Sequence, residues 1–297
     1  MTLDHSLIER LIYKSELVEI GLFRCPPAYP DFHYAGRITG NLLVFPRTSV
    51  RITQAGREPV IANPNVVMYY NLGQPYRRDK VSERGDHCEW FSFSTQVVID
   101  ALSLFDRRIV KHPEHPFTFS HGPSDPASYL LQRRVIEHIQ KSTQPDRLFV
   151  EEAMLAVLRR SLQNAYGEHR RKTCIDPVHQ ETVRAVQTLL ATRYQECLTI
   201  ERIAAEVNYS PYHLARIFRE HTGITIHKFL NQVRLRTALE IVADGGSNLT
   251  EVAMNLGYSS HSHFTQAFRK AFGALPSQVR DIHFSKEIQQ LSKNLIA

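Results

Sequence analysis

Two stretches in the last third of the chain, IERIAAEVNYSPYHLARIFREHTG at 200–223 and LTEVAMNLGYSSHSHFTQAFRKAFG at 249–273, are one pattern written twice. Ile203-Ala204, Asn208-Tyr209-Ser210, Leu214, Phe218-Arg219 and Gly223 form the first copy. Val252-Ala253, Gly257-Tyr258-Ser259, Phe264, Phe268-Arg269 and Gly273 form the second, with one extra residue in its turn. Each copy reads as a helix, a turn and a second helix. Asn208 and Gly257 hold the same place, and both residue types tolerate the left-handed backbone that ends one helix and turns toward the next. Ser210-Pro211 supplies an N-cap followed by proline at the first helical position, where its missing N–H costs nothing. Ser260 is the equivalent cap, and Thr199 caps the short helix that ends near Val207. Small Ala204 and Ala253 let the paired helices approach closely.

Periodicity separates two faces in each copy. Leu214, Ile217 and Phe218 face a core with Ile203, Ala204 and Val207, while Tyr212, Arg216 and Arg219 project from the other side at i, i+4 and i+7. In the second copy Phe264, Ala267 and Phe268 face the core. His261, Ser262, Thr265 and Gln266 stand exposed near the helix N-terminus, where recognition helices touch base edges. Arg216 matches guanine and Gln266 matches adenine through paired hydrogen bonds, each discriminating by roughly 1–3 kcal/mol. Base reading is therefore assigned to Tyr212, Arg216, His261, Ser262 and Gln266. A lesser or phosphate-holding part falls to His213, Arg219, His263, Thr265, Arg269 and Lys270. Thr225 to Asp244 reads as a connecting helix with Phe229, Val233, Leu239 and Val242 inward. About twenty residues at ~1.5 Å each span about 30 Å, close to the ~34 Å between successive major-groove faces. The competing reading is a helical protein-interaction module that binds no DNA.

The bulk properties agree with a soluble two-domain protein. The chain has 297 residues, 42% hydrophobic and 22% charged, which suits two domains with cores of their own. Asp4, His5, Glu9 and Arg10 interrupt any leader-like apolar run, and nothing approaches the ~20 apolar residues that span a bilayer. Cys25, Cys88, Cys174 and Cys197 are scattered without a C-x-x-C pair, so free thiols in a cytoplasmic setting are expected. The net charge of +6 favours a polyanionic partner, but it divides evenly between 1–176 and 177–297 and does not locate the binding end.

The amino-terminal half reads as α+β. Short apolar runs at Leu42–Phe45, Ser49–Thr53, Val66–Tyr70 and Trp90–Phe93, separated by turn residues, predict strands of a small barrel or sandwich. Helical periodicity follows around Val97 to Phe105, from Tyr129 to Ile139 and from Leu148 to Leu162. The last of these is amphipathic, suited to packing on the barrel or on a second subunit. Asn164 to Pro177 has no apolar period and is expected to be a linker. The predicted organisation is a sensing and dimerisation domain at 1–163, a linker at 164–177, a helical DNA-binding domain at 178–282 and a tail at 283–297. In the tail Phe284, Ile288 and Leu291 suggest a short amphipathic helix.

From about residue 181 to 282 the chain resembles the AraC/XylS family of bacterial transcription regulators. The residues that carry the resemblance are Ile200–Ala204, Ser210-Pro211-Tyr212-His213-Leu214, Phe218, Gly223, Arg234, Ala238, Val252-Ala253, Gly257-Tyr258, Phe264, Phe268, Gly273, Pro276-Ser277 and Arg280. It departs at Asn208, where the family commonly has Gly, and at Val279, where it commonly has Tyr. The resemblance implies two helix-turn-helix units in adjacent major grooves, an activator's role near promoters, and double-stranded DNA and RNA polymerase as partners. Residues 30–95, with Asp31-Phe32-His33, Leu43–Pro46, Asn71–Arg78 and Gly85–Cys88, resemble the cupin-like sensor barrels of such regulators. That implies a small-molecule effector and a homodimer built on the following helices.

A metal-dependent cupin enzyme is the second alternative. His33, His87, Cys88 and Glu89 lack the His-x-His spacing of metal cupins, and on a strand His87 and Glu89 share a face while Cys88 points away. Neither a metal, a cofactor nor catalysis is expected. Tyr76-Arg77-Arg78 reads as a solvated loop in preference to a site for an acidic effector. Arg107-Arg108 and Arg133-Arg134 read as exposed helix faces.

Overall fold

The computed structural model describes residues 8–106, 109, 113–172, 177–244 and 248–281. The chain divides between Gly167 and Glu168 into two compact units, the first rich in strands and the second helical. The tail after residue 281 and the Arg107-Arg108 pair lie outside the described residues.

The first unit runs β1 (Glu9–Lys14), β2 (Val18–Cys25), β3 (Tyr34–Arg37), β4 (Asn41–Pro46), β5 (Val50–Gln54), β6 (Val60–Ala62), β7 (Val66–Tyr70), β8 (Pro75–Lys80), β9 (Asp86–Phe93), α1 (Thr95–Ser103), β10 (His121–Pro123), α2 (Pro126–Lys141) and α3 (Arg147–Lys172). Its antiparallel strands form a six-stranded sheet, β1-β2-β9-β4-β7-β10, and a four-stranded sheet, β3-β8-β5-β6. The four expected strands correspond to β4, β5, β7 and β9.

The unbroken apolar run of β4 is explained by burial on both faces. Leu42 and Val44 join a core with Val50, Ile52 and Ala62 of the second sheet. On the opposite face Phe45 meets Phe91 at 5.6 Å and Tyr129 of α2 at 6.4 Å between ring centroids. The six-stranded sheet thus lies between the smaller sheet and the helices, and alternate residues along it serve two cores.

Three expectations are corrected here. Tyr76-Arg77-Arg78 is not a loop but part of β8, and Arg78 is buried against Asp86 at 3.3 Å. Arg133 and Arg134 do not lie on an exposed face. Glu89, with no solvent exposure, takes Arg133 at 2.8 Å and Arg47 at 3.3 Å, while Arg134 meets Glu137 at 3.2 Å. A carboxylate taken out of water requires a cation beside it, and α2 supplies one. The stretch 164–172, expected to begin a linker, continues α3. Its packing rests on Ala165, which lies so close to Gly122 that a Cβ there would come within 2.7 Å, and on Tyr166, stacked on Phe105 at 5.1 Å. Leu158 and Leu162 are buried, whereas Leu148 and Leu155 remain exposed.

The second unit holds α4 (Pro177–Thr192), α5 (Ile200–Glu206), α6 (Pro211–Thr222), α7 (Ile226–Asp244), α8 (Leu249–Asn255), α9 (His261–Phe272) and α10 (Pro276–Asp281). One core gathers Val186 and Leu190 of α4, Ile203 of α5, Leu214 and Phe218 of α6, and Phe229 and Val233 of α7. Beyond it Leu239, Val242, Val252, Phe264, Phe268 and Phe272 are buried, the last three in edge and tilted ring contacts at 5.6 and 4.7 Å. Among the described residues no helix is long and apolar enough to cross a membrane.

Candidate nucleic-acid interface

The two helix-turn-helix units are built by the same backbone chemistry. Thr199 and Asn248 cap α5 and α8. Each turn then passes through a left-handed residue, Asn208 at φ 57° and Gly257 at φ 78°. The next residue donates back into the helix just ended, Tyr209 N–H to Ala204 O at 2.9 Å and Tyr258 N–H to Ala253 O at 3.0 Å. Ser210 Oγ and Ser260 Oγ accept from the amides of His213 and His263 at 3.3 and 3.1 Å. Gly223 and Gly273 close α6 and α9 at φ 73° and 74°. Ala204 and Ala253 are buried where the helices of each pair cross.

These helices present two comparable faces. Tyr212 is 82% exposed, Arg216 and Arg219 are exposed, and all three line one groove of about 700 Å³. The repeat places Ser262, Gln266 and Arg269 at the same three positions of α9, and all are exposed, as are His261, His263 and Lys270. Arg216 pairs with Glu220 at 3.2 Å, one turn along the helix, in a solvent-exposed contact that a base edge or phosphate can replace.

Two residues of the expected set face elsewhere. His213 is half-buried, with its ring 5.3 Å from Tyr209 and 5.5 Å from His179 of α4. Thr265 is half-buried, and its hydroxyl is shielded from solvent without a partner among the described residues. His263 stays exposed but its ring contacts Ser259 Oγ at 3.3 Å and the edge of Tyr258.

Sequence reasoning noted Arg234 only as a family match, not as part of the site. It projects from α7 and donates three ways: from Nε to Tyr194 O at 2.6 Å, from Nη2 to Glu196 O at 2.9 Å and from Nη1 to Gly257 O at 3.0 Å. The first two carbonyls lie in the loop before α5 and the third in the turn between α8 and α9. One guanidinium therefore ties the two units together. Gly257 is required twice over, since a Cβ there would come within 2.6 Å of Arg234 Nη2 and 2.9 Å of Gln195 O. Burial pushes the Tyr258 phenol up, with Arg234 acting against it. The protonated hydroxyl donates to Asn231 Oδ1 at 2.7 Å.

The residues weighed for a metal do not converge. His33 meets Asp79, Glu89 meets Arg133, and Cys88 lines a cavity between the sheets. Among the described residues no three His, Cys, Asp or Glu side chains are grouped to hold a metal ion.

The helix-turn-helix domain model matches residues 203–282. The probable transcription factor PqrA of Proteus vulgaris is 30% identical over 104 residues, covering 34% of this chain and 85% of that protein. The Msm operon regulatory protein of Streptococcus mutans is 30% identical over 107 residues, 36% of this chain and 37% of that protein. The HTH-type transcriptional activator RhaS of Pectobacterium atrosepticum is 31% identical over 108 residues, 36% of this chain and 39% of that protein. The chain thus matches well under half the length of the latter two. With the doubled turn geometry and a relative matched over most of its length, the chain belongs to the AraC/XylS family of transcription regulators.

Proposed function

We propose that this protein is a sequence-specific DNA-binding transcription regulator, a ligand-responsive activator, that reads two adjacent major grooves with α6 and α9. Tyr212, Arg216, His261, Ser262 and Gln266 contact bases, and Arg219, Arg269 and Lys270 hold phosphates. His263 touches DNA at the edge of the second unit, while His213 and Thr265 brace their own helices. The observation that carries this is the exposure of equivalent positions on two helices started by the same serine caps. Similarity to RhaS, a transcriptional activator, supports the sign of regulation.

In the same proposal, 178–282 is the reader and 1–163, continued by α3, a cupin-like sensor for a small effector. The facing sheets around a cavity support the sensor. RNA polymerase and a second copy of the chain are the further partners, and the setting is the cytoplasm.

Selection of genomic DNA fragments by the full chain at near-physiological salt tests the proposal. Fragments sharing two short elements one helical turn apart are expected. Arg216→Ala should relax base preference at one position, and Lys270→Ala should weaken all sequences alike and reduce the salt slope by about 0.9. Unchanged affinity and preference in Arg216→Ala would mean the register is wrong, and absence of salt-dependent DNA binding would remove the function.

A further inference from the structure

Between the two sheets of the first unit lies a cavity of about 140 Å³. Phe23, Tyr70, Tyr76 and Trp90 give it aromatic walls, and Val44 and Ile52 apolar ones. One end is polar. Arg78 donates from Nη1 to Asp86 at 3.3 Å and from Nε to Phe32 O at 2.6 Å, and its guanidinium lies 4.6 Å from the Phe23 ring centroid. Nη2 has no acceptor among the described residues. An apolar cavity of roughly 150 Å³ admits one benzene-sized ring.

We infer that this cavity binds a small uncharged single-ring aromatic molecule whose one polar group accepts from Arg78 and donates to Asp86, an inference that rests on the first unit being the effector sensor. Two acids, Glu9 and Asp86, and two bases, Arg37 and Arg78, line the cavity, so it has no net charge to attract an anion. A ligand carboxylate within reach of Arg78 would also stand beside Asp86, and two anions in a water-poor site repel strongly. Burial already raises the Asp86 carboxyl, with Arg78 acting against it. A polyhydroxy ligand fits less well, because each buried hydroxyl needs a partner of its own, and Leu42, Val44, Ile52 and Met68 in the wall supply none.

The walls are shaped for a flat ring. Gly21 pairs with Trp90 across β2 and β9, and a Cβ at Gly21 would come within 2.1 Å of the indole. Glycine at that point lets the indole lie over the neighbouring strand. Trp90 Nε1 is buried without a partner among the described residues, a further donor in the wall. Tyr70 and Tyr76 pack at 5.1 Å with their rings tilted by 59°, and burial raises both phenols, so they stay protonated.

Trp90 is the chain's single tryptophan, so its fluorescence reports on the cavity. The test is titration of the full chain with phenol, benzamide, benzoate and glucose. Phenol or benzamide should change the emission saturably and bind at least about tenfold tighter than benzoate, with no response to glucose. Ala62→Phe, which fills the cavity from the smaller sheet, should abolish binding in a protein that still melts cooperatively. Should that variant unfold, Val44→Phe fills the space from the other sheet. Equal or tighter benzoate binding, a response to glucose alone, no saturable response, or binding retained in a folded filled variant would each overturn the assignment. DNA affinity measured with and without benzamide separates the two ideas. Occupancy of the cavity with unchanged DNA affinity keeps the ligand class and removes the sensor role. Glucose altering DNA affinity, with no aromatic bound, keeps the sensor and overturns the class.

Discussion

Arg234→Met should loosen the second reading unit from the first. The lost contacts are three charge-assisted hydrogen bonds, at 2.6, 2.9 and 3.0 Å, to Tyr194, Glu196 and Gly257 carbonyls. Bonds to a charged group contribute ~1.5–3 kcal/mol each. Arg234 is only half-buried, so the abandoned carbonyls regain some water, and neighbouring bonds do not add independently. A total of about 3 kcal/mol follows from the lower end of that range. Methionine keeps most of the stem's packing near Tyr258. Against the ~5–15 kcal/mol of an ordinary domain the variant remains folded. Urea unfolding measures the loss. The functional consequence is sharper, because a second element bound by a rigidly held unit gains effective concentration. Affinity for a duplex carrying both elements should fall about tenfold, and affinity for either element alone about twofold or less. Arg234→Lys should not restore it, since one ammonium cannot span three carbonyls set out for a fork. A stability loss under ~1 kcal/mol, or equal losses on one-element and two-element duplexes, would refute the clamp.

Other outcomes can be stated briefly. Gly257→Ala should cost more than the ~1–3 kcal/mol of a strained backbone because its Cβ also meets Arg234, whereas Asn208→Gly should leave the urea midpoint nearly unchanged. Glu89→Ala removes the buried carboxylate that Arg47 and Arg133 share and should cost about 3–5 kcal/mol by the same assay. Burial, with Arg24, Arg84 and Arg47 nearby, lowers His87 from 6.5 to about 4. Its neutral form therefore favours the fold above pH 6.5, and that contribution is lost as pH falls from 6.5 through about 4. His87→Gln should flatten the decline of melting temperature across that window.

The helical unit was legible because its signals are local. A capping serine, a turn residue that accepts positive φ and an apolar face at helical spacing each act within a few positions. The repeat then supplied each of these twice. The first unit hides more. β8 reads PYRRDK, as polar as a loop, because its inward Arg78 is paired with Asp86 from another strand. β2 pairs Val18 with Phe93, a register that no local pattern encodes. Arg234 was invisible as a clamp for a different reason. An arginine on a helix resembles any solvated cation, and its three acceptors are backbone carbonyls that leave no mark on side-chain pattern. Thr265 fell on the expected exposed face by spacing alone, while packing within the second unit turned it inward; His213, which spacing placed on neither face, packs against His179 of α4.

The correspondence between the two recognition helices is one of place, and at only one of three positions also of chemistry. Tyr212, Arg216 and Arg219 on one answer Ser262, Gln266 and Arg269 on the other. A single chain with unlike readers in tandem has no twofold axis of its own, so the sequence it prefers has a head and a tail. Inverting such a site would turn the bound protein end for end. Whatever surface it offers to neighbouring machinery would then point away from the gene it had faced. If these positions read bases as proposed, polarity of regulation is encoded in two side-chain differences, Tyr212 against Ser262 and Arg216 against Gln266, on a duplicated scaffold.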